Sequence, residues 1–180
     1  MEHSDKQLLR RLRLGQGEAL REVYVRYKDP MLALALTLIQ DKSSAEDIVH
    51  DVFVGFARVA RELRLRSSLK AYLCTAVVNR VRSYHRAGQR EGSESVETVE
   101  LGDAEDPSET VSLSEQLVCL DRAVAQLPQE QREVIVLRLQ SRLKFREIAR
   151  SQRISLNTAL TRYRYGVARL RTLLKGKVKP

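Results

Sequence analysis

The sequence predicts an all-α protein: two small helical domains joined by an acidic flexible linker, the C-terminal one containing a helix-turn-helix. Three observations lead there. Apolar residues recur at three- and four-residue steps along most of the 180 residues, and no alternating strand pattern competes. Charge divides the chain into three parts, with a net +6 over residues 1–87, −7 over 88–112 and +10 over 113–180. The segment Phe145–Arg164, FREIARSQRISLNTALTRYR, reads as two short helices about a tight turn.

The elements follow in chain order. Ala19, Val23 and Tyr27 form one stripe, continued by Leu32, Ala35, Leu36 and Ile39 beyond a break expected at Asp29-Pro30. Ser43 or Ser44 can cap the next helix, with Glu46 and Asp47 in its first turn, where negative charge suits the helix dipole. Ile48, Val52, Phe56 and Val59 make that helix's buried stripe. After a basic stretch, Tyr72, Leu73, Ala76, Val77, Val81 and Tyr84 mark a further helix. Residues 8–87 thus form the first domain. Residues 88–112, GQREGSESVETVELGDAEDPSETVS, are acidic and aperiodic, the composition of a tether whose charges keep it extended. The second domain, 113–175, opens with the stripe Leu113, Leu117, Leu120, Val124 and Leu127, stopped at Leu127-Pro128. Gln129–Leu139 is the next helix, and the helix after the turn runs to about Leu174.

Composition narrows the function. A net charge of +9 and a pI near 9.9 favour an anionic partner, nucleic acid ahead of membrane. No long apolar run suggests a membrane span, and MEHSDKQLLRRLRLG lacks the apolar centre of a signal peptide, so a cytoplasmic location without membrane insertion is expected. Cys74 and Cys119 are the only cysteines and sit at apolar helical positions, where they read as small core residues. With His3, His50 and His85 as the only histidines, no metal-ligand cluster, cofactor site or catalytic base with an orienting group is visible, and the chain does not read as an enzyme.

Three segments carry chemistry. In the helix-turn-helix, Ile148, Ala149, Ile154, Ala159 and Tyr163 supply contacts between the helices. Ser155, Asn157, Thr158, Leu160, Thr161, Arg162, Arg164 and Tyr165 are left for the exposed face and the helix start. Such a helix suits a major groove, and an ordinary surface hairpin is the alternative. In the first domain Arg58, Arg61, Arg64, Arg66 and Lys70 can neutralise phosphates, and Asn79, Arg82, Ser83 and Arg86 share one helix face. Tyr72 is either core or a stacking platform for an unstacked base; Tyr84 reads as core. Ala45–Phe56, AEDIVHDVFVGF, sets Glu46, Asp47 and Asp51 beside two apolar residues expected to be exposed, Ile48 and Phe53. That combination suits a protein partner better than DNA.

Together SSAEDIVHDVFVGF, SSLKAYLCTAVVNRVRSYHR and LPQEQREVIVLRLQSRLKFREIARSQRISLNTALTRYRYGVARLR resemble bacterial sigma factors of the extracytoplasmic-function group, in the sigma-70 family. The likeness spans about residues 8–174 except the acidic stretch. It implies a factor that binds core RNA polymerase and promoter DNA and directs transcription initiation, with polymerase supplying the catalysis. It assigns Asp47, Ile48, Asp51 and Phe53 to the β′ clamp helices, with the β subunit a further polymerase contact. Arg64, Arg66, Ser67, Tyr72, Asn79, Arg82 and Arg86 are assigned to reading and melting the −10 element. Ser155, Asn157, Thr158, Leu160, Thr161, Arg162 and Arg164 are assigned to the −35 element. Family linkers thread toward the polymerase active centre, a role open to the acidic stretch beside that of a solvated tether. An anti-sigma factor is a further partner the family often uses.

The chain departs from the family pattern at several points. Tyr72 stands where many relatives have Trp, and Leu63 and Leu69 where they have Phe. Leu160 replaces a usual cation, which favours apolar contact with a thymine methyl. Arg153 sits where Gly is common, and since a left-handed backbone costs a non-Gly residue about 1 kcal/mol or more, a different turn is expected there. A stand-alone helix-turn-helix regulator is the competing reading; it leaves AEDIVHDVF without a use.

Overall fold

The computed structural model describes residues 4–65, 68–91 and 113–175. Among these the regular structure is helical throughout: α1 (Asp5–Arg13), α2 (Gly17–Ile39), α3 (Lys42–Val59), α4 (Leu69–Glu91), α5 (Leu113–Ala125), α6 (Gln129–Leu139), α7 (Phe145–Gln152) and α8 (Leu156–Leu174). Arg66, Ser67 and residues 92–112 of the acidic stretch lie outside the described residues.

α1 is an element that the apolar stripes did not announce. Ser4 caps it reciprocally: its hydroxyl accepts the Gln7 N–H, and the Gln7 side chain accepts the Ser4 N–H at 2.7 Å. Its Leu8 and Leu12 are buried. Gly15, at φ +77, takes the left-handed conformation that turns the chain into α2. The Tyr27 hydroxyl of α2 donates to the Asp5 carboxylate at 2.7 Å, and burial together with that neighbour pushes the phenol's pKa far up.

Two expectations about this region are corrected. α2 runs unbroken through Pro30, and its buried residues beyond the proline are Met31, Leu34, Ala35 and Leu38; of the stripe read in sequence Ala35 is buried, while Leu32, Leu36 and Ile39 pack against the core only partly buried. A proline removes one backbone donor and crowds the preceding turn, and burial of Met31, Leu34, Ala35 and Leu38 offsets that local loss. α3 begins at Lys42, capped by Asp41, whose carboxylate accepts the Ser44 N–H at 2.7 Å. Glu46 and Asp47 therefore fall beyond its first turn.

α2 packs on α1, α3 and α4, and α3 on α4, around Val23, Leu34, Phe56, Leu73 and Val77. α4 continues to Glu91, four residues into the stretch read as linker. In the second domain α6, α7 and α8 enclose Val134, Leu137, Ile148 and Ala159. α5 uses only the C-terminal half of its stripe: Val124 and Leu127 are buried, but Leu117 is 55% exposed and Leu120 is exposed too. Cys74 is fully buried as expected, and Cys119 only half so, because it lies on the less covered part of α5.

The two domains lie against each other. α2 contacts α5 and α6, and α4 contacts α7. Their buried apolar residues form one continuous cluster.

Candidate nucleic-acid and protein interfaces

On α3, helical geometry and two neighbours decide what is exposed. Phe53, expected at the surface, and Ile48, read both as part of the buried stripe and as an exposed contact, are core, at 6% and 7% exposure, whereas Val59 at the end of that stripe is exposed. α2 and α4 cover α3 from two sides, and the Tyr24 ring meets Phe53 edge-on at 4.9 Å between centroids. The outward face consists of Glu46, Asp47, His50, Asp51 and Val54. His50 and Val54 were missed in sequence; stepping three residues from Asp47 and Asp51 finds them. The Asp51 carboxylate is paired with Arg80 of α4 at 2.9 Å, where the acidic face of α3 adjoins the basic face of α4.

Ser68 starts α4, its hydroxyl accepting the Ala71 N–H at 3.2 Å. Tyr72 is half-buried, its ring tilted against Phe56 at 6.1 Å. Tyr84 is 45% exposed rather than core: it lies at the outer end of α4, where its hydroxyl pairs with Ser44 and its ring meets His85 edge-on. Asn79, Ser83 and Arg86 are exposed on one face, and Arg64 is exposed in the loop before α4. The Arg86 guanidinium rests on the Arg82 carbonyl and the Ser83 hydroxyl, each at 3.3 Å.

Arg82 is the exception on this face. Its Nε donates to both carboxylate oxygens of Glu133 on α6, at 2.9 and 3.1 Å. Glu133 is 1% exposed and also accepts from Gln129 and Gln152. The carboxylate holds the Arg82 pKa above its ordinary value, against the opposing pull of burial.

The helix-turn-helix forms between α7 and α8. Ile148, Ala149 and Ala159 are buried, Ile154 and Tyr163 pack partly against them, and Phe145 meets Tyr163 edge-on at 5.2 Å. Glu147 accepts the Lys144 N–H at 2.9 Å and so holds the start of α7. Contrary to expectation, the turn keeps its left-handed residue: Arg153 adopts φ 54, ψ 42, and the Ile154 N–H closes on the Ala149 carbonyl at 3.0 Å. Replacing Arg153 by Gly is expected to stabilise the second domain by about 0.5–1 kcal/mol, the relief of left-handed strain less the entropy a glycine adds to the unfolded chain. Thermal unfolding would read this as a rise of a few degrees; a fall would show that the Arg153 side chain contributes more than its backbone costs.

On α8 the assigned residues separate. The Ser155 hydroxyl accepts the Thr158 N–H at 3.0 Å and pairs with its hydroxyl at 2.8 Å, so both serve the cap. Leu160 is half-buried. Arg162 is bound to Glu130 at 2.6 Å, its side chain 21% exposed. Asn157, Thr161, Arg164, Tyr165 and Ala168 are exposed at three- and four-residue steps and make the continuous outward face. Tyr165 belongs to that face although the assigned set omitted it.

A cleft of about 650 Å3 separates the two reading helices, lined from one side by Asn79, Arg82 and Arg86 and from the other by Glu133, Arg153 and Arg162. Among the described residues no helix is long and apolar enough to cross a membrane.

Comparison with known proteins bears on both halves. Residues 23–91 match the family model for sigma-70 region 2, and residues 117–170 that for sigma-70 region 4. The chain is 26% identical to the ECF RNA polymerase sigma-E factor of Escherichia coli strain K12, over 98% of this chain and 95% of that one. It is 23% identical to the RNA polymerase sigma-H factor of Pseudomonas aeruginosa, over 89% of each. Among solved structures it resembles the sigma factor RpoE of Bartonella quintana, crystallised with the anti-sigma factor NepR, at 26% identity and a TM-score of 0.72, covering 88% of this chain and 98% of that one. CnrH, solved with the cytosolic domain of CnrY, shares the fold at 19% identity and a TM-score of 0.73, over 98% of this chain and 100% of that one.

Proposed function

The chain belongs to the sigma-70 family, in its extracytoplasmic-function group, and from that membership we propose how its surfaces divide a sigma factor's work. The function follows from the family: the chain binds core RNA polymerase, recognises promoter DNA and directs initiation. The residue roles are our reading. Residues 8–87 act as the polymerase-binding and −10 domain, and residues 113–175 as the −35 domain.

One observation carries the division: two oppositely charged exposed helix faces adjoin at the Asp51–Arg80 pair. The acidic face, with Asp47, His50, Asp51 and Val54, suits a basic protein surface and repels phosphate. The neighbouring face, with Asn79, Ser83 and Arg86, attracts phosphate and offers an amide and a hydroxyl to bases. Ile48 and Phe53 act from beneath by shaping the acidic helix. Arg64 extends the −10 surface, and Arg66 and Ser67, close to it in sequence, are assigned to the same role; Tyr72, half-buried, offers only part of its side chain. On α8 we assign base contact to Asn157, Thr161, Arg164 and Tyr165, and helix positioning to Ser155 and Thr158. The chain supplies address and melting rather than catalysis, and acts in the cytoplasm, where core polymerase is. An anti-sigma partner is consistent with the relative solved beside NepR.

Purified chain added to core polymerase is expected to give promoter-dependent transcripts, and failure to bind core polymerase would overturn the reading. Asp47→Lys is expected to weaken capture of core polymerase about tenfold, the loss of roughly 1.4 kcal/mol at an interface charge, with −35 duplex binding unchanged. Equal loss of both activities would place the polymerase surface elsewhere.

A further inference from the structure

We propose that Arg13, at the end of α1, is a positioning residue for promoter reading. It holds the peptide from which Arg64 projects, and through Arg64 it sharpens discrimination at the −10 element. The inference rests on the reading above, which gives Arg64 that role.

The connection is one bond between segments far apart in sequence. The Arg13 guanidinium donates to the Leu63 carbonyl at 3.0 Å, across 50 residues. That carbonyl and the Arg64 N–H belong to one planar peptide unit, so holding the carbonyl sets the plane from which Arg64 departs. Leu63 and Leu65 are partly buried against the core, and Arg64 between them is exposed. Packing therefore decides that Arg64 faces outward. It does not decide how the peptide between Leu63 and Arg64 is rotated. α3 ends at Val59 and α4 begins at Leu69, so no helical ladder holds this carbonyl either. Arg13 supplies the restraint. The bond is open to water, so it adds little to stability and acts by placement.

The other end of the bond is anchored firmly enough to serve as a brace. α1 buries Leu8 and Leu12. Its Asp5 accepts from Tyr27 at 2.7 Å and pairs with Arg26 at 3.3 Å, and its Arg11 pairs with Glu22 at 2.9 Å, all on α2. The left-handed Gly15 then turns the chain, and the Arg61 guanidinium lies against that turn, 3.8 Å from where a Cβ on Gly15 would stand. α1 and the segment before α4 thus meet at two points, Arg13 on Leu63 and Arg61 on Gly15. α1 carries none of the promoter or polymerase residues assigned above; propping the segment with Arg64 gives it a use.

The test is the choice of −10 sequence by the full chain with core polymerase. The template is a duplex library randomised over the promoter elements, and the transcripts are sequenced. Arg64→Ala is expected to flatten base preference at one −10 position. Arg13→Ala is expected to flatten preference at the same position by about two- to tenfold, the range that one hydrogen bond's net worth spans. In the double variant preference should fall no further than in Arg64→Ala alone, because one side chain acts through the other. Preference at the −35 element and the urea unfolding midpoint should match those of the unaltered chain. A direct phosphate contact by Arg13 would instead weaken all sequences alike, lower the salt dependence by about one ion and add to the effect of Arg64→Ala. That result overturns the proposal, as does unchanged −10 preference in Arg13→Ala, and either leaves the sigma-factor reading intact. Loss of −10 and −35 preference in step with lost stability overturns it too, since Arg13 would then be merely structural. If Arg64→Ala alters no −10 preference, the role of Arg64 falls and the brace with it. An unaltered chain that selects no sequence at all would overturn the sigma-factor reading itself.

Discussion

Phe56→Ala is expected to lower the stability of the first domain by about 3–5 kcal/mol, the range for emptying a fully buried aromatic site. Phe56 lies on α3 with its ring against Tyr72 of α4, in the core that α2 closes. Its loss removes apolar burial and leaves a void that helices fixed on both sides can fill only partly. A domain of this size commands stability of about 5–15 kcal/mol, so a large fraction would go from one side chain. Val54→Ala is the control two residues away: Val54 is exposed, and its truncation is expected to cost within about 0.5 kcal/mol. Urea unfolding followed by circular dichroism measures both. Equal costs for the two would mean that α3 does not face the core as described. Function should follow stability, because Phe56 joins the helix assigned to polymerase to the helix assigned to the −10 element. Phe56→Ala is therefore expected to lose polymerase capture and promoter opening together at temperatures where the domain melts, and to regain both on cooling.

What could be read from sequence divides along physical lines. Regular burial of one helix face gives a periodic signal, so the helix-turn-helix and the end of α8 were legible. Features that depend on a remote partner were not. Phe53 read as exposed, and Ile48 as both buried and exposed, because a linear sequence does not reveal that α2 and α4 cover α3 from two sides. The break expected at Pro30 failed because proline's local cost is set against burial of Met31, Leu34 and Leu38, which only the packed domain reveals. α1 was missed because nine residues carry too few apolar positions to make a stripe; its capping box was the available signal. The pairing of Arg82 with Glu133 had no sequence signal, since the two are 51 residues apart and a lone Glu in a helix usually reads as a solvated residue. The α5 stripe shows the reverse failure: strong periodicity, yet Leu117 and Leu120 are left uncovered.

Arg164→Ala is expected to weaken binding to the −35 element by about 1–3 kcal/mol, roughly ten- to a hundredfold, while Arg162→Ala costs much less directly. From sequence the two arginines look equivalent. They differ in what they already touch. Arg164 is exposed on the same face as Asn157, Thr161 and Tyr165, free to enter a groove with them. Arg162 is turned toward α6 and paired with Glu130 at 2.6 Å, so a phosphate would have to displace a carboxylate already in place. Glu130 is itself exposed and the pair is partly solvated, so losing it should cost the fold about 0–1 kcal/mol. Titration of a −35 duplex against each variant separates these roles. Arg164→Ala should also relax discrimination between the −35 sequence and a scrambled duplex, because a base contact carries sequence information. A phosphate contact would instead weaken both duplexes alike and lower the salt dependence by about one ion. If Arg162→Ala proves the more damaging and the more sequence-specific, the groove-facing side of α8 has been assigned to the wrong residues. The Glu130 pair would then be a resting contact that DNA replaces.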